Sequence, residues 1–210
     1  MNVEFRDVTG LSKGFHLSHV NLEIREGYLT ALVGKNGAGK STLFRYLMDP
    51  GIRYDGEILV DGDANLIKQA AFKNRIGFVD ESRHFFMDKT ALENSALYAT
   101  LYDRFDMELF RAQMHRMEIP VHRTPGEMSR GQYLKFQMAF AMAHGSRLYL
   151  LDEVTAGMDP VFRKDFFRVL HEILKEEDVA ILMSSHIEEE IARHMDYVAV
   201  MEKGTIISYQ

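Results

Sequence analysis

The chain has no cysteine among its 210 residues. Disulfide bonds and thiolate chemistry are therefore excluded, which suits a cytosolic protein. No apolar run approaches the ~20 residues that a membrane-spanning helix needs. The longest such stretches, 138–143 and 179–183, are short. A run of basic residues is also missing. Lys and Arg total 25 against 31 Asp and Glu, for a net charge of −6. Nucleic acid is disfavoured as the main partner, because that binding needs clustered Lys and Arg. There is no internal repeat and no low-complexity linker, and the first residues carry no apolar signal segment. The expectation is a soluble chain of one to two domains that reaches any membrane only through a partner.

Against these absences, one stretch is rich in meaning. Gly34, Lys35, Asn36, Gly37, Ala38, Gly39, Lys40, Ser41 and Thr42 follow one another. Gly34, Gly39, Lys40 and Ser41 satisfy the phosphate-loop pattern G-x-x-x-x-G-K-[ST]. An apolar run at 28–33 reads as the strand before it, and 42–48 has the spacing of a helix after it. Glycines let the backbone curl so that successive N–H groups face phosphate oxygens, and the helix start adds its positive dipole end. Lys40 can reach the β- and γ-phosphates, and the Ser41 hydroxyl can bind Mg²⁺. The alternative is a glycine-rich turn that merely carries a lysine, but the flanking strand and helix favour a nucleoside triphosphate site.

Elsewhere the pattern alternates. Residues 3–7, Phe15–Ile24, 56–60 and Ile76–Val79 read as strands, with a turn at Asp61-Gly62. Thr90 and Glu93 form a capping box that opens a helix toward Tyr102. Residues 106–117 and 129–143 are helical, separated by Pro120 and Pro125-Gly126. The last third alternates strand and helix: 148–151, 160–175, 179–184, 187–193 and Tyr197–Glu202. That order implies a parallel sheet flanked by helices, an α/β core interrupted by a helical insert at roughly 83–135.

The run 148–151 ends in Asp152 and Glu153. A buried strand ending in two acids puts carboxylates at the edge of a sheet where ligands bind. Asp152 would hold Mg²⁺ through water, and Glu153 would act as general base toward the attacking water. A solvated acidic turn is the bland alternative. Twenty residues before Asp152, the sequence reads Met128-Ser-Arg-Gly-Gln132. Here the chain resembles the nucleotide-binding subunits of ATP-binding cassette (ABC) transporters, which carry Leu-Ser-Gly-Gly-Gln at this place. Ser129, Gly131 and Gln132 match, Met128 is a conservative departure, and Arg130 replaces a glycine. Thr155-Ala-Gly-Met-Asp159-Pro160 is similar to the family's D-loop, and Ser184-Ser-His186 to its switch histidine. The likeness runs from residue 3 to the terminal hairpin at 204–208.

The resemblance implies a single domain over residues 1–210 with the ABC ATPase fold, a phosphate-loop core with an antiparallel β subdomain and a helical insert. It implies ATP and Mg²⁺ as cofactors, and a homodimer, or a heterodimer with a related cassette, in which Ser129, Gly131 and Gln132 of one copy meet the ATP on Lys40 of the other. It further implies a transmembrane permease subunit, a place on the cytoplasmic face of the membrane, Glu153 and His186 as catalytic residues, and Ser41, Glu81 and Asp152 around the metal.

Two departures matter. Glu81 stands where the family usually has Gln, and some drug- and peptide-antibiotic-exporting members show a similar substitution. The family's adenine-stacking aromatic has no direct match. Phe15 is nearest, either in that role or as a core residue of its strand. Arg130 and Glu81 are expected to approach each other across the closed dimer, or to act separately. The aromatic group Phe85, Phe86, Tyr98 and Tyr102 reads mostly as insert core, with some rings exposed as a groove for a permease helix. A soluble ABC ATPase that does no transport, or a regulatory nucleotide switch, remains the rival. The transported substrate and its direction lie in the membrane partner and are not legible here.

Overall fold

The computed structural model describes residues 1–176 and 178–210, without the side chain of Glu188. Among the described residues the chain forms nine strands and seven α-helices. β1 (Val3–Ser12), β2 (Phe15–Ile24) and β4 (Tyr54–Val60) make an antiparallel sheet in the order β2-β1-β4. The second sheet has the order β5-β6-β7-β3-β8-β9. Its members are β3 (Leu29–Val33), β5 (Ile76–Val79), β6 (Leu148–Asp152), β7 (Ala180–Ser184), β8 (Tyr197–Glu202) and β9 (Thr205–Tyr209). All its pairings are parallel except β8 with β9. Parallel strands covered on both faces read as unbroken apolar runs, which is why β3, β6 and β7 carry no alternation.

The period-two geometry of β6 divides the interior. Tyr149 and Leu151 point into a core shared with Phe136, Phe166 and Leu170, whereas Leu148 and Leu150 point into a second core with Leu43, Phe44 and the antiparallel sheet. The first core packs beneath the helices α4 (Met107–Arg116), α5 (Arg130–Ala143) and α6 (Pro160–Ile173). The second holds α1 (Lys40–Met48). Two short helices, α2 (Ala70–Lys73) and α7 (Glu188–His194), and the insert helix α3 (Ala91–Ala99) complete the order.

Helix starts follow their caps. Thr90 and Glu93 form a reciprocal capping box on α3, and Ser129 and Gln132 form one on α5. Asp159 caps α6 ahead of Pro160, whose missing N–H costs nothing at that position. One difference from the sequence expectation has a local cause. β1 extends beyond residue 7 to Ser12, because Asp7 takes a left-handed φ of 53° and a bulge lets pairing resume at Val8. α5 runs unbroken from Arg130 to Ala143, as the expected helix at 129–143 does.

Candidate nucleotide site

The loop between β3 and α1 is held open by two glycines with positive φ, Gly37 at 80° and Gly39 at 114°. Gly39 is also the N-cap of α1. Lys40, the first residue of α1, is 6% exposed. Its ammonium folds back over the loop and donates to the Gly34 carbonyl at 2.8 Å. It also lies 3.2 Å from the Glu153 carboxylate. A buried ammonium needs such partners, because its desolvation is otherwise costly.

Ser41, Asp152 and Glu153 converge from separate elements. The Ser41 hydroxyl donates to Asp152 Oδ2 at 2.6 Å, across 111 residues of sequence. Ser184, opposite Asp152 in the β6–β7 register, donates its hydroxyl to Asp152 Oδ1 at 2.6 Å. The same hydroxyl accepts from the Glu153 backbone N–H at 2.8 Å. Glu153 takes a left-handed φ of 51°, a strained conformation for a side chain of this kind. In the sequence, Ser184 reads as the end of a strand and a neighbour of His186, with no role at Asp152. Its part in this network depends on strand register, which no local pattern discloses.

Lys40, Ser41, Asp152 and Glu153 line one cleft of about 430 Å³, open to solvent, together with Phe15, Asn36, Thr42, Asp80, Glu81 and Ser82. Phe15 is half-buried, with its ring edge over Gly39: a Cβ there would lie 2.7 Å from Phe15 Cε1. Asp80 and Ser82 were not singled out from sequence. Burial pushes the Asp80 carboxyl up, but hydrogen bonds from His84 and Ser82 outweigh it and hold its pKa below the usual value. The same hydrogen bond raises His84 against a smaller opposing effect of burial. Gln137 of α5 pins the backbone here, donating to the Asp80 carbonyl at 2.7 Å.

Four expected site residues outside the phosphate loop lie elsewhere. Ser129, Gly131 and Gln132 open α5 and are not among the residues lining the cleft. Ser129 N donates to Gln132 Oε1 at 3.1 Å, and Arg123 Nη1 donates to the same oxygen at 3.0 Å. His186 is exposed just beyond β7 and does not line the cleft either, among the described residues. Arg130 pairs with Glu81 of its own chain. The approach expected across a dimer is thus already made within one copy, because the start of α5 lies beside the loop that follows β5.

The fit to Mg²⁺ rests on donor chemistry. Ser41 and Asp152 supply a hydroxyl and a carboxylate, hard oxygen donors that suit this cation. Among the described residues, no group of three or more His, Asp or Glu side chains could hold a metal alone.

A model of the ABC transporter family matches residues 17–156, two thirds of the chain. The chain belongs to the ABC transporter family. It is similar to the bacitracin transport ATP-binding protein BcrA of Bacillus licheniformis, at 29% identity over 194 residues. That match covers 91% of the chain but 63% of the relative, so the chain spans less than two thirds of BcrA's length. Among solved structures, an ATP-binding subunit of an ABC transporter superposes over the whole chain with a TM-score of 0.85 at 22% identity, covering 90% of that structure. The dimeric, post-hydrolysis structure of an ATP-binding cassette bound to ADP and phosphate gives 0.80 at 21% identity, over 99% of this chain and 97% of that one. At such identities these likenesses establish the fold. Both helical and antiparallel subdomains of this cassette are therefore the fold of known cassettes. Among its described residues, no helix is long and apolar enough to cross a membrane.

Proposed function

We propose that this cassette binds and hydrolyses ATP and drives a separate transmembrane permease from the cytoplasmic face of the membrane. The observation that carries the reading is the meeting of Ser41 and Asp152 at 2.6 Å, beside a buried Lys40 and the Glu153 carboxylate. Four groups from β3–α1 and the end of β6 converge where a triphosphate would lie against the start of α1.

The chemistry assigned to these residues is positioning and charge stabilisation. Loop N–H groups between Gly34 and Gly39 cradle the phosphates. Lys40 offsets charge on the β- and γ-phosphoryl oxygens. Ser41 and Asp152 would hold Mg²⁺, which when bound neutralises charge on the same oxygens. Glu153 takes a proton from water as its oxygen bonds to the γ-phosphorus. The bond from that phosphorus to the β–γ bridging oxygen breaks, giving ADP and phosphate. Phe15, whose ring borders Gly39, is assigned to the adenine face.

Ser129, Gly131 and Gln132 lie outside their own chain's cleft, which supports their use by a second copy. Head-to-tail packing with two-fold symmetry would put them against the nucleotide on the partner's Lys40. A γ-phosphate contacted from both sides favours the closed dimer, and hydrolysis removes that contact. His186 would be brought to the nucleotide in that closed state. Phe85, Tyr98 and Tyr102 line a groove, and their chain neighbours Phe86, Leu97 and Leu101 are exposed, an apolar surface suited to a helix of a permease. Glu81 and the likeness to a bacitracin transport protein support an exporter-like subgroup.

Glu153→Gln tests the reading. The variant should bind ATP with affinity near that of the wild type, lose turnover by 100-fold or more, and accumulate as an ATP-held dimer in size-exclusion chromatography. Near-normal hydrolysis would sink the assignment.

A further inference from the structure

Glu190 sits on α7 and is 4% exposed, rare burial for an acid. Its Oε2 accepts from the Thr155 hydroxyl at 2.8 Å and from the Ser185 hydroxyl at 3.0 Å. Both hydroxyls are themselves on buried residues. The other oxygen, Oε1, faces the Arg163 guanidinium of α6 at 3.8 Å. Among the described residues neither Oε1 nor Arg163 Nε has a hydrogen-bond partner.

The two donors come from different loops. Thr155 follows Glu153 by two residues on the loop leaving β6. Ser185 precedes His186 on the loop leaving β7. The first loop is already gripped at its start, where the Ser184 hydroxyl binds both Asp152 and the Glu153 N–H. Glu190 grips it two residues later. Glu153, with its left-handed backbone, is thus held on both sides by groups that belong to β7 and α7.

We propose that Glu190 is a positioning residue for ATP turnover, tying the loop that carries Glu153 to the loop that carries His186. The inference rests on the assignment of Glu153 as general base. A carboxylate suits the position because it accepts without donating, so two hydroxyls can share one oxygen while the other meets a guanidinium. A glutamine keeps only part of this: with its carbonyl toward the hydroxyls its N–H₂ faces the Arg163 guanidinium, and with its N–H₂ toward them the hydroxyls must turn to accept and Arg163 loses its negative charge. A base displaced by about 1 Å can lose on the order of 100-fold in rate without any change in nucleotide contacts.

The experiment compares wild type, Glu190→Gln, Thr155→Val and Thr155→Ser as full chains, with MgATP turnover and a fluorescent ATP analogue as readouts. Glu190→Gln and Thr155→Val should each lower kcat at least tenfold, with nucleotide affinity within twofold of wild type. Thr155→Ser, which restores the hydroxyl, should stay within threefold in kcat. Thr155→Val provides the answer if Glu190→Gln does not fold. Wild-type turnover in Glu190→Gln, equal rates in the valine and serine variants, or a parallel fall of kcat and affinity would overturn the inference while leaving the ATPase reading intact. A wild-type chain that does not hydrolyse ATP would overturn both.

Discussion

The guanidinium of Arg130, at the start of α5, and the carboxylate of Glu81, on the loop after β5, form an ion pair within one chain. The guanidinium also lies beside Gly157, where a Cβ would be 3.1 Å from Arg130 Nη1. Arg130, on α5, is therefore paired with the loop after β5 and lies against the loop after β6. Its side chain is 38% exposed and that of Glu81 52%, so solvent screens the pair and its worth is at most about 1 kcal/mol. A double-mutant cycle with Arg130→Gln and Glu81→Gln should show coupling of roughly 0.3–1 kcal/mol in the unfolding of the nucleotide-free chain. The same cycle read on ATP-driven dimerisation should be additive. Coupling that appears only in dimerisation would restore the pairing across copies.

Gly39 is confined both by backbone and by space. Its φ of 114° is costly for any side chain, and a Cβ would meet Phe15 Cε1 at 2.7 Å and Met201 Cε at 3.0 Å. Gly39→Ala should lower stability by roughly 1–3 kcal/mol and weaken nucleotide binding, as the loop shifts to relieve the contact. Gly37 has a φ of 80° but nothing within 4 Å of a Cβ, so Gly37→Ala should cost less. Urea unfolding and titration with an ATP analogue of both variants check the order. Equal losses would mean that backbone strain alone matters at Gly39.

His144 gives the chain an acid sensitivity. It is buried at the end of α5 and stacked on Tyr102 with ring centroids 4.1 Å apart. Burial pushes its pKa from the ordinary 6.5 down to about 4. Between those values the unfolded chain takes up a proton that the folded chain refuses. Stability is therefore lost as pH falls through this window, by up to about 3 kcal/mol, and is unaffected by His144 above it. His144→Asn should be less stable than wild type at pH 7 but flatter from pH 6.5 to 4. Parallel stability curves for the two proteins would remove His144 as the source.

The phosphate loop, the acid pair ending β6 and the capping box of α3 were legible in the sequence. Each is a contiguous stretch whose chemistry depends on spacing of a few residues. The two-faced burial of β6 and β7 was legible for the same reason, as unbroken apolar runs. Other features were decided only by the tertiary structure. Ser184 reaches Asp152 because parallel register sets residue 184 opposite 152. Glu190 reaches Thr155 over 35 residues, and Arg130 reaches Glu81 over 49. Such pairs depend on which way a helix lies on a sheet, and no local pattern carries that information. The same holds for the aromatic insert. Phe85 turns inward against Phe136 at 4.6 Å, while its neighbour Phe86 is 48% exposed. Two adjacent residues of one type have equal claims on the core, and only the packing of α3 against α5 chooses between them.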